Sequence, residues 1–166
     1  MVDVTTNILI LQRSRKMPHS GDVFAVGLPD ATFLFGRVVS TDARWTTADG
    51  ADPAILIYLY RERSATKAAP DRSVMRPDRL LFSPIMTNRL PWTRGYFETL
   101  ANVPLEQDDV LRRHCFLSAS RGRYFDDHGN ELAGPIEPVG DYALHSFRTI
   151  DDQISDAVGI PRVPED

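Results

Sequence analysis

Apolar residues along this chain fall in short β-branched and aromatic runs broken by turn-forming residues, and a helical period is clear only near the end. Residues 22–28 (DVFAVGL) and 32–39 (TFLFGRVV) flank Pro29 and Asp30. Two such runs joined by a short turn predict an antiparallel hairpin. Gly36 inside the second run predicts a bulge or a sharp bend. Residues 54–60 (AILIYLY) form an unbroken apolar run, too short for a typical helix, and predict a central strand buried on both faces. Upstream, residues 8–11 suggest a first strand or short buried segment. The basic residues Arg13, Arg15 and Lys16 then lead into a turn around Pro18, Ser20 and Gly21.

The remaining segments are shorter. Residues 41–53 are polar, with a turn signal at Asp49 and Gly50, and residues 61–77 form a long polar connection read as a mobile loop. Residues 80–86 carry Pro84, which predicts an edge or bulged strand because proline lacks the ladder N–H. Strands are also expected at 96–103, 114–118, 123–125 and 142–147. Residues 104–113 read as a short helix, with Glu106, Asp108 and Asp109 early and Arg112 and Arg113 late. The firmest helix follows Thr149, taken as N-cap. Ile150, Ile154 and Val158 recur every four residues and make one apolar stripe, and Gly159 and Pro161 end it. The fold class expected is α+β: a mostly antiparallel, strongly bent β-sheet or small, partly open barrel with a C-terminal α-helix. One domain over 1–166 is expected, with an N-terminal segment at 1–19, a core at 20–160 and a tail at 161–166.

Composition narrows the function classes. The hydrophobic fraction is 42% and the charged fraction 25%, both usual for a folded globular chain. The net charge of -4 argues against non-specific nucleic-acid binding, which needs a basic footprint. With Cys115 as the only cysteine, no intrachain disulfide or Cys-rich metal site is expected. The opening residues MVDVTT lack a secretory pattern and no apolar run is long enough to span a bilayer, so a cytoplasmic protein without a membrane partner is expected.

Candidate chemistry is sparse. The nucleophile-elbow, phosphate-loop, dinucleotide and zinc-protease motifs are all absent from the sequence. Asp126, Asp127, His128 and Glu131 form the densest polar cluster and read as a solvated turn, without the spacing of a calcium loop. His114 beside Cys115 points to opposite faces of a strand, so the two do not readily share a ligand, and Cys115 reads as a small buried hydrophobe. No role is assigned to His19 or His145. No catalytic, cofactor-binding or metal-binding residue is expected, and no cofactor. Trp92 reads as core. Trp45, in a polar stretch, either covers a core edge or anchors a partner. Glu106, Asp108 and Asp109 interrupt the apolar pattern between two strands. They should be exposed, and with Trp45 they are the candidate partner-binding residues.

Several blocks resemble the Immunity protein 26 family of bacterial polymorphic-toxin systems. They are G-D-V-F-A-V from Gly21, F-G-R-V-V from Phe35, L-L-F-S-P-I-M-T-N, P-W-T-R-G-Y-F-E, H-C-F, and the closing D-Y-A-L-H-S-F…I-D-D-Q-I. The resemblance runs over residues 20–160; it departs at Gly27, where a small apolar residue or proline is expected. It implies a binding protein that blocks a cognate toxin, and no catalytic motif. The alternatives are a small β-rich module that binds nucleic acid or a peptide, and a hydrolase using the Asp126 region. A basic stripe with exposed aromatics would favour the module, and a desolvated carboxylate cluster in a pocket would favour the enzyme.

Overall fold

Alternate residues of one strand feed two different cores, and this organises the molecule. In the computed structural model, which describes residues 6–47 and 49–165, β3 (Gly50–Leu59) is buried from Ala54 to its end. Ile55, Ile57 and Leu59 point into one apolar cluster; Ala54, Leu56 and Tyr58 point into the other. A period of two with both faces apolar makes a central strand. β3 lies between β2 (Phe33–Thr47) and β4 (Ile85–Thr87) in a six-stranded sheet. The full order is β10–β4–β3–β2–β1–β5, with β1 at Asp22–Gly27, β5 at Glu98–Asn102 and β10 at Leu144–His145.

A second sheet has the order β8–β7–β6–β9. Its strands are β6 (Cys115–Ser118), β7 (Arg123–Phe125), β8 (Glu131–Leu132) and β9 (Val139–Asp141). Phe116 and Phe125 from this sheet join the core that holds Tyr58. The opposite face of the large sheet is covered by Trp92 from α1 (Leu90–Thr93), by Ile8 and by α2 (Phe147–Val158). The class is α+β with a bent sheet. The sheets stay open, with no closure into a barrel, and they are mixed: β10–β4 and β6–β9 pair in parallel while the other ladders are antiparallel.

The expected hairpin forms β1 and β2, reversing over residues 28–32. Gly36 has a different reason from the one its sequence suggests. The β1–β2 ladder runs through it without a break, and Gly36 sits opposite Phe24. A Cβ there would lie 2.3 Å from Phe24 Cζ. The missing side chain lets the Phe24 ring lie over the strand, stacked on Phe97 at 4.4 Å and edge-on to Trp92 at 5.4 Å. The bend comes later, where the β2–β3 register shifts between Val38 and Ala43.

Four local expectations need correction, and one polar stretch gains a place in the sheet. Residues 41–47 and 50–53 are strand: β2 and β3 continue pairing as far as Thr47 and Gly50, on either side of the expected turn. Their polarity reflects an arm that leaves the core, with Arg44 N–H donating to Asp127 O at 2.8 Å. Pro53, opposite Arg44, therefore deprives the ladder of nothing. β4 is interior, not an edge strand, because Pro84 precedes its first residue. The 61–77 connection is tied down through Ser64, which pairs with Phe33, and through Arg72, which donates to Pro104 O at 2.5 Å. Residues 104–113 hold only a 3₁₀ turn at Gln107–Asp109, and Val110 is already extended. The last helix begins one turn before its expected cap. Ser146 is the N-cap, and Thr149 completes a capping box from the third helical position.

The α2 stripe is as the periodicity predicts at two of its three positions, since Ile150 and Ile154 are buried and Val158 packs at the margin. Gly159, at φ 77°, closes the helix in the left-handed conformation. On its other side the Asp151 carboxylate accepts from the backbone N–H groups of Asn7 and Ile8, at 2.9 and 2.8 Å, and so fastens the N-terminal segment to the helix. Because Ile154 is fully buried, Ile154→Ala should cost about 2–5 kcal/mol and Val158→Ala less. The urea midpoints of the two variants check this. An unchanged midpoint for Ile154→Ala would contradict the docking described.

Candidate partner-binding surface

The acidic group at 106–109 divides into an inner and an outer part. Asp109 is 1% exposed and lies 3.3 Å from Nη1 of Arg37, itself fully buried on β2. The expectation that Asp109 is exposed is therefore wrong. A buried guanidinium needs acceptors close by, and Arg37 also donates through Nη2 to Val103 O at 2.5 Å and Pro104 O at 3.2 Å. The Asp109 carboxylate accepts from Glu106 N–H at 2.9 Å as well. Arg72 reaches the same carboxylate at 3.7 Å and pairs with Glu106 Oε1 at 2.5 Å. Glu106 is mostly exposed but neutralised by Arg72. Asp108 is exposed and, among the described residues, has no cation within ion-pair distance. Asp108 is thus the carboxylate of this turn that presents an uncompensated charge.

Trp45 lies on the outer arm of β2, opposite Asp52, and is half-buried against the core that holds Tyr58. It covers a core edge and keeps one exposed side. The arm rests on the second sheet. Thr46 N–H donates to the Tyr142 hydroxyl at 2.8 Å, and Arg121 donates to Thr46 O at 2.8 Å while its guanidinium stacks over Phe125. No hydrogen bond or ion pair joins Trp45 to the 106–109 turn among the described residues. The two candidates sit on separate elements packed against the same core.

The Asp126–Glu131 cluster is a turn, as its residue types predict. Asp126 Oδ1 accepts from the N–H groups of His128 and Asn130, both at 2.9 Å, and Gly129 adopts φ 82°. Asp127 departs from the solvated reading. It is 3.6 Å from Nδ1 of buried His114, whose Nε2 lies 2.6 Å from the Tyr58 hydroxyl. The Leu111 N–H donates to that hydroxyl at 3.0 Å. Burial pushes the Asp127 carboxyl up. The His114 hydrogen bond and charge outweigh it, and the net position is below the ordinary carboxylate range. Burial likewise drives the Tyr58 hydroxyl well above its ordinary value, with the Leu111 N–H opposing. The chain of hydrogen bonds therefore ends on an inaccessible phenol. It ties the second sheet to β3, and His114 and Asp127 also line a cavity of about 460 Å³ with Leu111, Asp126 and His128. Cys115, next to His114, is buried and accepts from Ile136 N–H at 3.4 Å, away from the imidazole's partners.

One surface feature has no local sequence signal. A groove of about 680 Å³ runs between residues 12–19 and the Trp92, Glu98 and Thr99 side chains. Only the basic run at 13–16 hints at it, because its walls are some eighty residues apart in sequence. Among the described residues no group of three or more His, Cys, Asp or Glu side chains is placed to hold a metal ion, and no helix is long and apolar enough to cross a membrane.

Comparison with known proteins gives one match. The sequence model of the family described as Immunity protein 26 matches residues 19–124, from the turn before β1 into β7. No curated protein and no solved structure matches the chain. The matched region holds the hairpin, β3, the 106–109 turn and His114. The N-terminal segment and α2 lie outside it.

The division of the acidic turn has a direct test. Asp109→Ala strands a buried Arg37 and should lower stability by about 3–5 kcal/mol, whereas Asp108→Ala should change it by about 0.5 kcal/mol or less. Chemical denaturation of both variants decides between this arrangement and one in which the two carboxylates are equivalent.

Proposed function

The chain belongs to the Immunity protein 26 family, and on that premise we propose that it binds and neutralises a cognate bacterial toxin domain by protein–protein contact. The family match over residues 19–124 carries this reading. The internal chemistry supports the non-catalytic part of it. The two groups best suited to acid–base work, His114 and Asp127, are spent on each other and on a buried tyrosine. The setting proposed is a polymorphic-toxin system in the bacterial cytoplasm, where the protein protects the cell that makes the toxin.

Within that reading the partner surface includes Asp108, with Glu106 beside it and Trp45 on the neighbouring arm. Asp109 serves it from below by holding the turn in shape. Exposed carboxylates on a fixed turn speed encounter with a basic partner through complementary potentials. The half-buried indole of Trp45 supplies a rigid apolar contact of the kind that anchors interfaces. Neutralisation then follows either by covering the toxin's active site or by locking the toxin in an inactive form.

Two measurements test the proposal. Co-expression of the toxin domain encoded beside this chain should be survivable with the chain and lethal without it; equal lethality would overturn the assignment. Asp108→Lys leaves Arg37, Arg72, Glu106 and Asp109 untouched and should preserve the fold. It should slow association with that toxin at low salt, and the defect should shrink as salt rises. Wild-type association at both salts would remove this turn from the interface.

A further inference from the structure

The net charge of the chain is negative, yet one face is basic without compensation. Arg13, Arg15 and Lys16 on the N-terminal segment and Arg89 and Arg94 flanking α1 are all exposed. The fold brings these two stretches together. Leu11 N–H donates to Gly95 O at 2.7 Å and Ser14 N–H to Trp92 O at 3.0 Å. Gly95, at φ 86°, lets Arg13 pass close, since a Cβ there would lie 3.0 Å from Arg13 Cγ. Neither residues 6–18 nor residues 88–97 contain a carboxylate side chain. Among the described residues none of the five cations lies within ion-pair distance of a carboxylate.

The groove described above opens on this face. Arg13, Lys16 and Met17 line one side and Trp92 the other. Its own two carboxylates are committed elsewhere. Glu98 is paired with Lys67 at 2.5 Å, and Asp22 is buried, accepting from His19 N–H and the Asn102 amide. The lining also carries an exposed apolar side chain, Met17, at 47%. In the wall itself, the Trp92 side chain is 2% exposed and its indole Nε1 has no acceptor among the described residues. A buried donor without an acceptor is destabilising.

We propose that this groove seats an acidic segment of a partner protein, with carboxylates held by Arg13 and Lys16 and an apolar side chain resting on Met17. The surface shares no residue with the 106–109 turn, and most of its N-terminal wall precedes the family match. It is therefore a second binding surface whose occupation does not depend on the toxin reading. An acidic protein segment suits it better than a nucleic acid. Met17 lies among the cations, and of the two rings in the lining Trp92 is buried and only the small ring of His19 is exposed, which makes a poor stacking platform.

The test uses the full chain and a short fluorescein-labelled peptide of glutamates with interspersed leucines. The same peptide with glutamine for glutamate and a single-stranded oligonucleotide are the comparison probes. The acidic peptide should bind, shift the Trp92 indole N–H resonance, and bind less well as salt rises. Arg13→Glu with Lys16→Glu, both at exposed positions, should weaken binding by at least about tenfold with an unchanged circular dichroism spectrum. Lys16→Glu alone should give an intermediate loss. The proposal fails if the indole resonance does not move, if the charge-reversed protein binds equally well, or if the glutamine peptide or the oligonucleotide binds as tightly.

Discussion

The buried Arg37 guanidinium takes its ion pair and both its hydrogen bonds from residues 103–109, while its Nε and Nη1 have no hydrogen-bond acceptor among the described residues. This arginine stands on β2, in the middle of the large sheet. Its partners are two backbone carbonyls at the exit of β5 and the carboxylate of Asp109. The interaction therefore fixes the path of the chain as it leaves the first sheet for β6 of the second. Arg72 joins the same carboxylate and, through it, holds the connection at 61–77. The shape of the 106–109 turn, the outward direction of Asp108 and the placement of the second sheet are all tied to this one buried charge.

Elements whose signals are local were legible in the sequence. The 22–39 hairpin, the doubly buried strand at 54–60 and the α2 stripe each declare themselves within one short stretch of sequence, through period, turn chemistry or caps. What was not legible depends on distant partners. The polar 41–53 arm is stranded because the second sheet supplies its contacts, from Asp127, Arg121 and Tyr142. The 104–113 segment has helical charge order, yet Arg37 draws Asp109 inward and ends the turn after a few residues. Nothing near Asp109 announces an arginine seventy residues upstream. Trp45 was rightly ambiguous between core edge and contact, because it is half-buried. His114 and Asp127 each read as unremarkable alone, and their pairing emerges only when β6 and the 126–130 turn meet.

These constraints bear on how such a protein works. The surfaces offered to partners sit on elements locked from behind: the acidic turn by Arg37 and Arg72, the Trp45 arm by the second sheet, and the basic groove by hydrogen bonds from residues 11 and 14 to α1 and Gly95. A preformed surface loses little conformational entropy on binding, which favours tight association. The same locking engages the interior groups His114, Asp127 and Asp109 with partners inside the fold.

Titrating the activity of the purified toxin domain with this chain tests that account most directly. Stoichiometric binding predicts a linear fall in activity that ends at a fixed equivalence point, does not deepen with time of incubation, and reverses when the chain is removed. Progressive inactivation by far less than an equivalent would mean that the chain acts by turnover and would contradict the account.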